Sequence, residues 1–428
     1  MQMTENLELE LLNKITEFFL DSARKESFNG ISCFSLLNIA VAETILRCAL
    51  ESLVKSGECN LAFASIHINP HIKRLPDEPI EKQIEFLKKE EINGICAYPS
   101  KARILASIDD SEFRDKPYSR DLLHGSAQLE YFGFELAVLE RYKNDPSYHL
   151  QFYDYMGTMS VTDEMYKSEI YQDRDKVSLQ TFGLGFDTNK NPIIVVFLRY
   201  LANLTAEHQQ YWNSFRVRGN VLPSKQYYLS SYHGEFWENR SLRHAIVEEM
   251  RLINELTNQI WGKSIFREIH DQSGIIDLTV FTRPTSANFN NFVQCFDKML
   301  SENIVKDFFG GKVELKEEIK RKDGNIEFRH KGSLRLLDEW LSKIGVWETK
   351  ASVAQILKPL LEVRNLRQKP AHSLIENTLS QDVGTQRKQI MWDVFNSLGN
   401  IRHFLSKHPL SKEVEIPDWL DTNQIDVF

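Results

Sequence analysis

The sequence predicts an α+β protein in which a mixed N-terminal and central domain is followed by a C-terminal helical bundle. Three observations predict it. Apolar residues recur at helical spacing near both ends of the chain. The stretch between carries short alternating or continuous apolar runs punctuated by Pro, Gly and Asp-Pro. Two charged, strand-like runs flank Asp323-Gly324 just ahead of the last helical region. With 428 residues, 42% of them hydrophobic and 26% charged, the chain can form two or three cores, which excludes disorder and collagen-like repeats.

Residues 1–60 are expected to be helical, with Leu7, Leu11, Ile15, Phe18 and Phe19 on one stripe and Leu37, Ile39, Ala40, Ile45, Leu46 and Leu50 on a second. Two helices broken near Asn29-Gly30 account for this spacing. Residues 61–310 form the mixed region. LAFASIHI, KARILASI, VSLQTFGLGF and NPIIVVFLRYL supply its early elements, while HAIVEEMRLINELTNQIW and FNNFVQCFDKMLSENIVKDFF read as helices within 241–308. Residues 311–332 form a connector, because KVELKEEIKRK and NIEFRHK surround a dipeptide suited to the positive backbone angles of a tight hairpin turn. Residues 333–408 contain four helical stretches: SLRLLDEWLSKI, ASVAQILKPLLEVRNL, PAHSLIENTL and TQRKQIMWDVFNSLGNIRHFLSKH. Residues 409–428 are a tail expected to lie as a surface strap. No internal repeat or low-complexity segment is evident.

Five cysteines, Cys33, Cys48, Cys59, Cys96 and Cys295, are scattered with no CxxC pair. That pattern argues against a disulfide framework and a structural zinc site and predicts a reducing cytoplasm. The N-terminus is acidic and amphipathic, and no eighteen-residue apolar stretch occurs, so neither a signal peptide nor a membrane span is expected. A net charge of −8 gives no overall attraction to nucleic acid, and any RNA contact must be local. Residues 358–408 carry eight Lys or Arg against four Asp or Glu, a local +4.

The segment RNLRQKPAH, from Arg364 to His372, carries the most specific chemistry. Proline is tolerated in a helix's first turn but not in its interior, so one helix is expected to end near Leu366 and the next to begin at Pro370. His372 then falls in a first turn, where the helix dipole favours a neutral imidazole and a bound phosphate. Arg367 at the junction and Arg364 one turn earlier can point to one mouth. Guanidinium suits a phosphate, and imidazole exchanges a proton near neutral pH. The competing structural reading is that these side chains cap carbonyls or pair with acids such as Glu362 or Glu376.

On these residues, 333–408 resembles the HEPN superfamily, whose small helical bundles carry an R-x(4 to 6)-H motif between their last long helices; Arg367 and His372 match it with four residues between them. Gln368 loosely fits the polar residue that often follows the motif arginine. Asn365 fits that role better, but after Arg364, which is too far from His372 for the usual spacing. The resemblance implies a metal-independent endoribonuclease, often of bacterial defence or toxin systems, acting as a homodimer with two motifs face to face. It implies proton transfer by His372, phosphorane stabilisation by Arg367 with Arg364, and RNA contacts from Asn365, Gln368 and Lys369. No cofactor or metal is expected, and the alternative is a non-catalytic bundle that dimerises or grips a partner. About the first 300 residues resemble uncharacterised bacterial proteins, which implies no activity; a sensing or restraining role, involving a regulatory protein partner, is expected of them. A surplus of apolar residues around the last helix (Ile390, Trp392, Val394, Phe395, Leu398, Ile401 and Phe404) predicts a dimer face.

Other candidates are weaker. His67 and His71 flank Pro70 with no further ligand nearby and read as loop histidines. Gly183-Leu184-Gly185 lacks the rest of a dinucleotide fingerprint and reads as a turn or bulge. His208, Gln209, Tyr211, Trp212 and Phe215 could stack bases, though such spacing more often builds a core. Lys316, Lys320, Arg321, Lys322, Arg329 and Lys331 could let the hairpin touch RNA, though solvated hairpin faces are commonly this charged. The acids Asp109, Asp110, Glu112 and Asp115 read as a solvated loop.

Overall fold

The computed structural model describes residues 2–108, 110–235, 240–270, 276–321, 323, 325–345, 350–368, 376–380, 382–411, 413–422 and 424–426. It divides into two compact units, Met1–Leu150 with Met156–Glu235, and Gln151–Tyr155 with Phe236–Phe428. Helices and sheets are mixed, as the sequence predicts.

The first unit opens with α1 (Gln2–Arg24), β1 (Ile31–Ser32), α2 (Cys33–Ala40), α3 (Glu43–Lys55), β2 (Cys59–Phe63), α4 (Ile80–Lys89) and β3 (Ile95–Pro99). Both β1 and β2 pair antiparallel with β3. Leu11 and Ile15 of α1, Leu46 and Leu50 of α3, and Phe63 and Ile95 of the sheet are buried in one apolar cluster. Where spacing predicts two helices there are three, because Val41, at φ 64°, ends α2 before α3 begins.

There follow α5 (Lys101–Ser107), α6 (Pro117–Leu123), β4 (Tyr131–Phe134), α7 (Glu140–Lys143), β5 (Tyr148–Tyr153), β6 (Met156–Val161), α8 (Asp163–Lys167), β7 (Ser178–Phe186), β8 (Pro192–Phe197), α9 (Leu198–Ala202), α10 (Ala206–Ser214), β9 (Leu222–Pro223) and α11 (Lys225–Tyr228). The strands form a six-stranded sheet in the order β4-β8-β7-β6-β5, with β9 on β7. Gly183 and Gly185 lie in the interior of β7, not in a turn or bulge. A Cβ on Gly183 would stand 2.1 Å from the ring of Tyr227, and one on Gly185 would stand 2.3 Å from Val195. Glycine there admits a side chain against the strand itself.

The second unit contains α12 (Leu242–Trp261), α13 (Ile276–Thr279), α14 (Ser286–Met299), the hairpin β10 (Lys316–Lys320) and β11 (Ile326–His330), α15 (Ser333–Ile344), α16 (Lys350–Gln368), α17 (Val383–Ser406) and α18 (Asp418–Asp421). Ser241 caps α12 by accepting from His244 N at 3.0 Å, and Gly262, in the left-handed region at φ 68°, ends it. One core runs through Ile246, Met250 and Ile253 of α12, Phe292 and Phe296 of α14, Trp340 of α15, Leu360 of α16, and Val394, Leu398 and Ile401 of α17.

That continuity corrects the expected boundary at residue 310. The helices α12 and α14 belong with the C-terminal helices because their apolar stripes are buried against them. It also places the apolar residues of α17. Val394, Phe395, Leu398 and Ile401 are core residues, and Ile390, Trp392 and Phe404 pack partly buried against the same core. The fourth expected helix is not formed over its described part. Residues 376–380 carry no helix, and Leu379 is bridged to Thr285. The side chain of Asn377 accepts from Ala287 N at 3.1 Å, satisfying an orphan N–H at the start of α14.

The hairpin forms in the expected place with Lys316 opposite His330 and Lys320 opposite Ile326. Arg321 N donates to Asn325 O at 2.8 Å across the end of the hairpin. The tail is docked as a strap, with Leu420 buried and Asp426 bridged to Ser241. Among the described residues no single helix is long and apolar enough to cross a membrane; α2 and α3 together pass that test only as a pair bent by 110°.

Candidate functional site

Arg364 and Arg367 stand one turn apart at the end of α16, and both face one carboxylate, Asp297 on α14. Arg364 Nε donates to Asp297 Oδ1 at 3.1 Å and Arg367 Nη1 donates to Oδ2 at 2.7 Å. Arg364 Nη2 also donates to Ser301 Oγ at 2.6 Å, Ser301 donates to Asp297, and Arg367 pairs with Glu302. The Asp297 side chain is fully buried, whereas the two arginine side chains keep 28% and 27% of their exposure. Hydrogen bonds to Asp297 and then Glu302 raise the pKa of Arg367 further, so it is a fixed cation.

Two guanidinium groups and two carboxylates make this cluster neutral. Its order comes from Asp297 of α14, and the acids that engage the arginines are Asp297 and Glu302 instead of Glu362 and Glu376. Asn365 and Gln368 are exposed on the same helix. Lys369, His372 and the helix start expected at Pro370 lie outside the described residues.

Part of the local +4 lies inside the fold, while Lys358, Lys388 and Lys407 are exposed. Arg387 and Arg402 are buried, at 6% and 4% exposure. Arg402 Nε donates to buried Glu249 at 2.7 Å, and its Nη2 to Asp421 at 2.7 Å. Arg387 donates to the carbonyl of Thr279, and burial lowers its pKa to about 10. On the hairpin, Arg321 pairs with Glu327 at 2.7 Å and buried Lys331 with Glu339 at 2.6 Å, while Lys316, Lys320 and Arg329 are exposed.

The remaining candidates resolve as structure. His71 Nδ1 lies 2.9 Å from Gly30 O, and His67 accepts from Arg74 N at 3.2 Å. No group of three or more metal-ligating side chains occurs among the described residues. Asp110 pairs with His124 at 3.0 Å. In α10, His208, Gln209 and Trp212 are fully buried. Trp212 Nε1 donates to Tyr142 Oη at 2.9 Å, and the same hydroxyl is hydrogen-bonded to His208 Nδ1 at 2.8 Å. His208, Gln209 and Trp212 are thus core, while Tyr211 and Phe215 of the same run are half-buried. Cys33, Cys59 and Cys96 are buried thiols whose pKa burial raises, to about 12 for the last two, which leaves no thiolate there for nucleophilic work.

Comparison of the chain with protein-family models, with curated proteins and with solved structures finds no match.

Proposed function

We propose that the protein is a metal-independent endoribonuclease whose reacting groups are His372 and Arg367, with Arg364 beside them. The observation that carries this reading is the convergence of Arg364 and Arg367 on Asp297 at the end of α16, four residues before His372. A buried carboxylate that fixes two guanidinium groups sets their direction while part of each remains open to solvent. In the reaction the RNA 2′-oxygen attacks the adjacent phosphorus and passes its proton to His372. The P–O5′ bond breaks, the leaving oxygen takes the proton back from His372, and a 2′,3′-cyclic phosphate and a 5′-hydroxyl result. The arginines meet the charge that grows on the non-bridging oxygens. Because one Arg and one His make a sparse site, the proposal includes a second copy of the chain bringing a second motif.

One observation favours a second reading, a bundle that binds without cutting: Asp297 and Glu302 already neutralise both arginines. Purified protein incubated with total RNA in EDTA separates the two. The ribonuclease reading expects 5′-hydroxyl fragments that vanish in His372→Ala and largely vanish in Arg367→Lys, where the charge remains but the forked donor geometry does not. Intact RNA with the wild-type protein, or undiminished cutting by His372→Ala, would refute it.

A further inference from the structure

A second feature of the first unit points to nucleic acid independently of the arginine pair. The short helix α11 runs into a π-helical turn, Leu229–His233, that ends at Gly234 with φ 71°. Turns of this kind are rare, and they recur at functional sites. This one brings Tyr228 and Tyr232 into a near-parallel stack, with ring centroids 4.8 Å apart and planes 13° apart. His233 sets its ring against both at 5.2 Å. The Arg74 guanidinium lies 5.0 Å from the Tyr232 ring centre and hydrogen-bonds the Tyr232 carbonyl; Arg199 lies 5.7 Å from the ring of Tyr200.

Packing accounts for only one side of this stack, where Tyr232, like Tyr200, sets its ring against buried Phe197. The adjacent Tyr227 is fully buried and fills the space over Gly183, so it performs the core role in this segment. Tyr228, Tyr232, Tyr200, Arg74 and Arg199 are instead half-buried, and His233 is exposed. Tyr232 is bounded by Tyr228, Arg74 and buried Phe197, whereas Tyr228, at the outer end of the stack, is only half-buried and keeps part of its surface open to extend it. The two arginines decide the class of ligand. They repel a cation that would otherwise seek tyrosine faces, and they attract a flat group that carries phosphate.

We propose that Tyr228 and Tyr232, with Arg74, Arg199 and His233, form a stacking platform for single-stranded RNA. The platform rests on the ribonuclease reading only for the choice of RNA over DNA. It supplies the sequence-tolerant grip that a neutral arginine cluster lacks: a base on Tyr228 and backbone phosphate near the arginines.

The test uses the full chain carrying His372→Ala, so that binding is read without cutting, and a labelled oligouridine of about 16 nucleotides in EDTA, followed by fluorescence anisotropy. Tyr228→Leu, which keeps apolar bulk but no ring, is expected to weaken binding about tenfold, while Tyr228→Phe binds as the parent does. Arg199→Gln is expected to weaken binding and flatten its dependence on salt. Binding equal to the parent's in a folded Tyr228→Leu protein, or no oligouridine binding by the parent, overturns the platform. Should Tyr228→Leu fail to fold, Arg199→Gln carries the test, and an unchanged affinity and salt slope overturn the proposal. Equal ring-dependent binding of oligothymidine overturns the assignment to RNA. Loss of the ribonuclease reading leaves a different signature, ring-dependent binding by a wild-type protein that cuts nothing.

Discussion

Replacing Asp297 by asparagine tests the arginine cluster directly. The buried carboxylate takes Arg364 Nε on one oxygen at 3.1 Å and Arg367 Nη1 on the other at 2.7 Å. An asparagine there has one oxygen and one amide nitrogen, so whichever way it turns, one guanidinium faces N–H donors. At least one charge-assisted hydrogen bond is lost, worth roughly 1.5–3 kcal/mol. Breaking a fully buried ion pair costs about 3–5 kcal/mol, but these arginines keep over a quarter of their exposure and regain some hydration. The expected loss of stability is therefore about 2–3 kcal/mol, read by urea unfolding at neutral pH. The control is Glu302→Gln, whose acid is 39% exposed and whose loss is expected to cost under about 1 kcal/mol. A double-mutant cycle of Asp297→Asn with Arg364→Gln should show coupling of about 1 kcal/mol or more, since the two groups touch. A cost below about 1 kcal/mol for Asp297→Asn, with no coupling, would refute the view that this carboxylate holds the arginines in place.

Two further outcomes follow from the same structure. Burial, and next the nearby Arg141, lower the pKa of fully buried His208 from 6.5 to about 4. The unfolded chain therefore takes up this proton first, and stability falls as pH drops from about 6.5 toward 4, by up to roughly 3 kcal/mol; an NMR titration placing His208 above about pH 6 would contradict this. A fragment beginning at Lys331 lacks α12 and α14 and bares Val394, Leu398 and Ile401, so it is expected to be insoluble or without cooperative unfolding. A soluble fragment with a sharp unfolding transition would show instead that residues 333–408 carry their own core.

The sequence by itself determined the parts whose cause lies within a few residues. The alternating runs around Asp323-Gly324 give a hairpin, the stripes at three and four residues give α12, α14, α15 and α17, and the mixed central composition gives a sheet with short helices. Glycine at 183 was legible as special, yet only Tyr227, brought over β7 from forty-four residues later, shows what it makes room for. The apolar surplus on α17 was equally plain, but that Val394, Leu398 and Ile401 pack against α12, more than a hundred residues upstream, is visible only in the fold. The same holds for the candidate site. Arg364 and Arg367 announce themselves by spacing, whereas Asp297, about seventy residues earlier, neutralises them, and Glu249 takes Arg402 out of the count of free cations. Periodicity is written in neighbours along the chain, because helix and strand geometry repeat within a turn or a pair. Charge pairing and burial are set by which faces meet, and that was decided only when the helices packed.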